Sequence, residues 1–190
     1  IVEAGQLALT FVFALSLLLA VVPLLGSFTA NQRLLLLAKP LAFGQFAFAL
    51  VAMAALVYAF CNNDFTVINV AQNSSSTLPW YYQVTASFGS HEGSMLLWVL
   101  MLAFWTALVA QFSKALPLLL QGRILGILGL ISAGFVAFSL FMSNPFLRSL
   151  PFFPVEGRDL NPLLQDFGMI MHPPMLYMGY VGFAVAFAFA

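Results

Sequence analysis

Polar and charged side chains fall in clusters along this chain, and between the clusters run five stretches that are almost wholly apolar: about 6–26, 41–61, 95–112, 124–142 and 173–190. A bilayer core is crossed by roughly 20 apolar helical residues. The first four stretches therefore predict full spans, and the last, which runs out in "FAVAFAFA", a shorter one. The polar segments 62–94 and 145–172 are long, whereas the other two connections are short. This pattern predicts an all-α, polytopic membrane bundle: a single transmembrane domain of about five helices with two long loops on one face. The last span stops without a polar flank and the chain opens on Ile1, so the sequence reads as a piece of a longer protein. "IVEAG" lacks the basic region of a signal peptide, and the first run is counted as a span.

Composition strengthens this reading. The chain is 63% hydrophobic and 6% charged, against roughly 45–50% and 25% for a soluble domain, and its mean hydropathy is +1.02. A formal net charge of +0 without any basic run argues against nucleic acid as a partner. Cys61 is the only cysteine, which excludes an internal disulfide, a CxxC pair and a CxxCH haem-attachment site in this chain. At the end of the second apolar run it reads as a small buried hydrophobe.

The sites of the basic residues predict orientation, because short loops rich in Lys and Arg stay on the cytoplasmic side. Arg33, Lys39, Lys114 and Arg123 flank the two short connections, while the loop 62–94 has no Lys or Arg. Both long loops and the N-terminus are thus expected outside. Arg148 and Arg158 in the second loop are offset by Glu156, Asp159 and Asp166.

Long connections of this kind are usually functional or disordered. The first opens on a strand-like "FTVINV" and ends in "LPWYY", where Trp80, Tyr81 and Tyr82 suit either an interfacial aromatic belt or a ligand-facing wall. "SHEGS" then opens the third span. Ser90 or Ser94 would cap that helix and Glu92 would favour its dipole, while a His91–Glu92 pair that binds a partner or relays protons is the alternative. In the second loop four prolines exclude a long helix and the phenylalanines make it too apolar for a solvated linker. "EGRDLNP" reads as a turn knitted by local ion pairs and an Asx-type bond. The rival reading has Arg158 or Arg148 receiving a ligand carboxylate.

"MIMHPPMLYMGY" places His172 before two prolines. Pro173 and Pro174 suit the first turn of a helix, which predicts His172 at the N-cap of the fifth span, with its backbone restricted by the following proline. There the dipole and an apolar setting favour the neutral imidazole that binds metal. A lone histidine cannot make a zinc site, which takes three or four protein ligands, but it completes the proximal contact of a haem iron. Phe152, Phe153, Phe167, Met171, Tyr177 and Tyr180 would then serve as walls. A plain helix-starting polar residue at the interface is the competing reading.

Five segments in this order and spacing carry a further signal: "NDFTV", "LPWYYQVTASFGSHEGSMLLWVLML", "SNPF", "PVEGRDLNPLLQD" and "HPPMLYMGYVGFAVAFAFA". Together they resemble the CcmF family, the haem lyase subunits of system I cytochrome c-type biogenesis within a wider haem-handling superfamily. Where that family often has proline after "LLQD", this chain has Phe167. The resemblance implies a multi-pass protein of the bacterial inner membrane, or a mitochondrial inner one, with its long loops periplasmic. It implies that haem b is accepted from the haem chaperone CcmE and joined to the CxxCH thiols of an apocytochrome c, alongside other maturation subunits such as CcmH. It carries one iron ligand onto this sequence, His172, with Pro173, Pro174, Tyr177 and Arg158 as further haem-binding candidates. The family's second outer ligand and the pair that holds an intramembrane b-type haem find no counterpart in residues 1–190, and His91 is not assigned to iron. Attachment of this kind is a matter of positioning haem against thiols, so no catalytic nucleophile is expected and this stretch alone is expected to be inactive. A transporter or ion-translocating subunit, and a non-haem scaffold of a maturation complex, are the alternatives.

Overall fold

The structure, a computed structural model, describes residues 1–190, the side chain of Met169 excepted. Eight α-helices follow one another: α1 (Val2–Phe28), α2 (Gln32–Leu36), α3 (Ala38–Cys61), α4 (Ile68–Asn73), α5 (Trp80–Gly89), α6 (His91–Phe112), α7 (Leu118–Phe141) and α8 (Phe167–Phe189). Five helices, Val2–Phe28, Gln32–Cys61, His91–Ala115, Leu118–Phe141 and Ile170–Phe189, are long and apolar enough to cross a membrane. They coincide with the five apolar runs and extend past them, because helix ends are set by caps rather than by hydropathy. Ser90 accepts the Gly93 amide at 3.0 Å and starts α6 four residues before the apolar run. Pro117 immediately precedes α7 and starts it six residues early. Asn31, which accepts from the Arg33 amide at 3.0 Å, turns the chain into α2 and α3.

α1 packs between α3 and α7, with α6 completing the bundle and α8 on its rim. A stripe of small residues on α7 brings it close to α1. A Cβ on Gly129 would stand 2.6 Å from the Ala20 amide nitrogen and 2.7 Å from the Leu19 carbonyl carbon, and one on Gly126 2.6 Å from Leu24. Gly122 faces Pro23, Gly126 faces Leu24 and Ala20, and Gly129 faces Ala20 and Leu19, so positions rise along α7 as they fall along α1 and the two helices are antiparallel. Lipid gives helices no hydrophobic reason to associate, so such backbone contact supplies the dispersion that holds them. Ser16, Gln45, Thr106, Ser132 and Ser139 lie fully buried in this core. The Gln45 amide donates to Ser16 Oγ at 3.0 Å, and Ser16 donates to the Val12 carbonyl at 2.7 Å.

The outer segments differ from the sequence reading. "FTVINV" is not a strand: Val67 makes one isolated bridge to Arg148, and Ile68–Asn73 closes into α4. Trp80–Gly89 forms α5, so the first loop is largely helical. Alternating β-branched residues favoured a strand, but burial of Val67, Val70 and Ala71 in one cluster overrides the local preference. The "EGRDLNP" charges likewise reach across to the first loop rather than pairing locally. Glu156 accepts from the Ser76 amide at 2.9 Å and hydroxyl at 2.6 Å, and Asp159 from the Ser75 hydroxyl at 3.3 Å. The Asx-type bond is present at Asn161, which accepts from the Leu163 amide at 3.1 Å. Backbone bonds from Ile68 to Leu147, Ser149 to Thr66 and Arg158 to Ala71 make one cap of both loops. Cys61, expected to be buried, is exposed, since it is the last residue of α3 and projects beyond the packed helices.

Candidate functional site

The fifth span does not begin at His172. The Ile170 amide donates to the Asp166 carbonyl at 3.0 Å, so the helix starts at Phe167 and His172 is already in its second turn. Pro173 and Pro174 lie inside α8 rather than at its first position. Having no amide hydrogen, each omits one helical hydrogen bond to the preceding turn. The turn that bears His172 is therefore joined to the rest of α8 by two fewer bonds than a regular helix. His172 also keeps helical backbone where the following proline favoured an extended one.

At 3.6 residues per turn, His172 shares its face with Leu176, Gly179 and Phe183. His172, Leu176 and Phe183 are exposed, and a Cβ on Gly179 would meet nothing within 4 Å. This face of α8 is open from His172 to Phe183. Among the described side chains of the helix, only Val181 and Ala188 are buried, both on the opposite side. That side also carries Ile170, Pro173 and Tyr177, which wall a cleft of about 280 Å³ together with Ser90, His91 and Leu164. Tyr177 packs on Trp98 with ring centroids 5.3 Å apart, and Tyr82 donates its hydroxyl to the Gln165 carbonyl at 2.8 Å just before α8.

The five residues singled out from sequence are thus not one cluster. His172 stands on the open face, while Pro173 and Tyr177 line the cleft behind it and Pro174 is half-buried. Arg158 lies beside α4, its amide donating to the Ala71 carbonyl at 2.7 Å, in a separate depression with Gln72, Pro154 and Glu156. Of the suggested walls, Phe167, Met171 and Tyr180 are exposed on α8, and Phe152 and Phe153 project from the second loop. Arg148 receives a carboxylate of the chain itself, that of Glu3, at 2.9 Å. His91 meets the Phe138 ring edge-on at 6.3 Å. The Ser76 hydroxyl, then its amide, hold the Glu156 carboxyl below its ordinary pKa. Among the described residues no three His, Cys, Asp or Glu come together around a metal site. Trp98 and Trp105, which hold α8, were not visible in sequence because they sit in an unbroken apolar run.

Comparison with known proteins gives a consistent picture. Residues 88–190 match the cytochrome C assembly protein family. Over the whole chain the sequence is 55% identical to the cytochrome c-type biogenesis protein CcmF of Haemophilus influenzae, covering 29% of that protein. It is 53% identical to CcmF of Escherichia coli over 99% of the chain, again 29% of the relative. A solved structure titled cytochrome c heme lyase CcmF superposes with a TM-score of 0.84 at 28% identity, over 98% of this chain and 29% of that one. The chain spans less than a third of the length of these relatives.

Proposed function

This chain belongs to the cytochrome C assembly protein family, and from that premise we propose that it handles haem in c-type cytochrome biogenesis, His172 binding the iron of the substrate haem as one axial ligand. The observation that carries the reading is the position of His172: an exposed imidazole near the N-terminal end of a membrane-length helix, at the head of an apolar face that is exposed at the described residues Leu176 and Phe183. One imidazole completes one axial contact, and the remainder of a haem site is apolar wall. Leu176 and Met175, one turn further along and exposed, are of that kind. Gly179 leaves the face open beyond them. Pro173, Pro174 and Tyr177 on α8, and Arg158 in its own depression beside Gln72, Pro154 and Glu156, are the further haem-binding candidates of this proposal.

On this proposal the cap formed by the two long loops is periplasmic and the basic residues Arg33, Lys39, Lys114 and Arg123 lie on the cytoplasmic side of a bacterial inner membrane. The haem arrives from a chaperone such as CcmE, and the thiols of a CxxCH apocytochrome, presented with subunits such as CcmH, add across its vinyl groups. The chain's own part is to hold and orient. The test is the absorbance spectrum of the full-length protein with His172→Ala. Loss or marked weakening of the outer-face haem signal, recovered by added imidazole, is the expected result, together with loss of c-type cytochrome assembly. An unchanged signal overturns the ligand assignment.

A further inference from the structure

α8 is held by little. Its outer turn is weakened by Pro173 and Pro174, its His172 face is open, and only two of its described side chains are buried. Among its attachments to the bundle are two tryptophans on α6, Trp98 and Trp105, seven residues apart and so on one face of that helix. Trp98 is itself fixed by stacking on Phe135 of α7, with centroids 5.0 Å apart and planes 22° from parallel. Its ring meets Tyr177 at 5.3 Å and the edge of Tyr180 at 6.1 Å. Two turns along, Trp105 donates its indole Nε1–H to the Met178 carbonyl at 2.9 Å, and its ring lies 3.6 Å from where a Cβ on Gly182 would be.

We infer that Trp98 and Trp105 are positioning residues for His172: the two-point clamp sets the rotation of α8 about its axis, and that rotation decides where the imidazole points. The physical reason lies in the difference between packing and hydrogen bonding within a bilayer. Apolar helix faces slide and turn against one another at small cost, because lipid tails pack nearly as well as side chains. A hydrogen bond to one named carbonyl is lost as soon as the helix turns. Successive residues are offset by about 100°, so a rotation of that size would carry His172 off the open face. The Tyr177–Trp98–Phe135 stack blocks rotation at the upper point and the Trp105–Met178 bond at the lower one.

This inference rests on the haem reading of His172, and the experiment separates the two. In the full-length protein, Trp105→Phe keeps a ring and deletes the donor, while Trp98→Leu deletes the upper stack and Trp98→Phe restores most of it. The readout is the low-spin electron paramagnetic resonance spectrum and the midpoint potential of the bound haem. The expected result is near-normal haem content with a broadened or shifted spectrum in Trp105→Phe and Trp98→Leu, and recovery toward the parent in Trp98→Phe. A second readout needs no haem. In a Cys61→Ser background, a cysteine at buried Val181 is expected to react with a membrane-permeant maleimide several-fold faster when Trp105 is Phe. If His172→Ala abolishes the haem signal but both tryptophan variants match the parent spectrum, the positioning role is overturned. If His172→Ala leaves the signal intact, the haem reading fails instead, and unchanged maleimide labelling then overturns the clamp as well.

Discussion

Arg148 pairs with Glu3 at 2.9 Å, tying the first turn of α1 to a loop 145 residues further along the chain. The same guanidinium donates to Thr66 Oγ1 at 3.1 Å, so one side chain joins the first helix and both long loops. Glu3 is 69% exposed, and an exposed pair contributes at most about 1 kcal/mol. Glu3→Gln is therefore expected to change stability by no more than that, less in high salt. Arg148→Ala removes the hydrogen bond to Thr66 too and should cost about 1.5–3 kcal/mol. Thermal unfolding of the full-length protein in micelles, at low and high salt, checks both; equal effects would show that the Thr66 bond contributes nothing.

The α1–α7 contact predicts two glycine substitutions of opposite outcome. At Gly129 an added methyl meets the backbone of Leu19 and Ala20, which cannot swing aside. Gly129→Ala should force the helices apart and cost about 1–3 kcal/mol, as overpacking does. Gly134, five residues further along α7, faces open space. Gly134→Ala should be neutral or stabilising by up to about 1 kcal/mol, from helix propensity alone. Melting temperatures of the two variants side by side decide the matter.

The unequal legibility of the fold has physical causes. The five long helices stood out because hydropathy is a dense signal, spread over some 20 residues each. Their ends did not, because Ser90 and Pro117 act through single caps. The Pro173–Pro174 pair misled for a related reason: prolines are favoured at a helix start, yet here the Asp166 carbonyl begins the helix seven residues earlier. Inside a uniformly apolar span no polar alternation marks which face packs, which is why Trp98 and Trp105 were invisible while His172, a lone polar group, was not. The stitching of Ser75 and Ser76 to Asp159 and Glu156 spans about 80 residues and leaves no local trace.

That stitching carries a pH dependence. The Ser76 hydroxyl and amide stabilise the ionised Glu156 carboxylate, lowering its pKa in the folded protein. A lowered folded-state value means the contribution is complete above the unfolded pKa and is lost as pH falls through the folded one. The cap should therefore loosen on acidification through and just below the ordinary carboxylate range. Amide hydrogen exchange at Ser76 and Gly157 is expected to accelerate there beyond the intrinsic trend. Glu156→Gln should show the faster exchange already at neutral pH and no added acid step.

The Gln45–Ser16 pair in the bundle core makes the last prediction, in which removing a polar group and removing its partner have different signs. Gln45 is fully buried; its amide nitrogen has Ser16, but its Oε1 has no partner among the described residues. A buried acceptor without a donor costs free energy, so Gln45→Leu relieves one unsatisfied atom while giving up a single interhelical bond. Such bonds average only about 0.6 kcal/mol within membrane proteins. The variant should be neutral or more stable. Ser16→Ala instead strips the amide of its one partner and leaves both of its polar atoms unsatisfied, at about 1–3 kcal/mol. Unfolding of the two single variants and the double variant, in which Ser16→Ala should cost little once Gln45 is Leu, tests the coupling. A Gln45→Leu protein markedly less stable than the parent would mean that Oε1 has found a donor, such as a buried water, and that the pair belongs to a larger satisfied network.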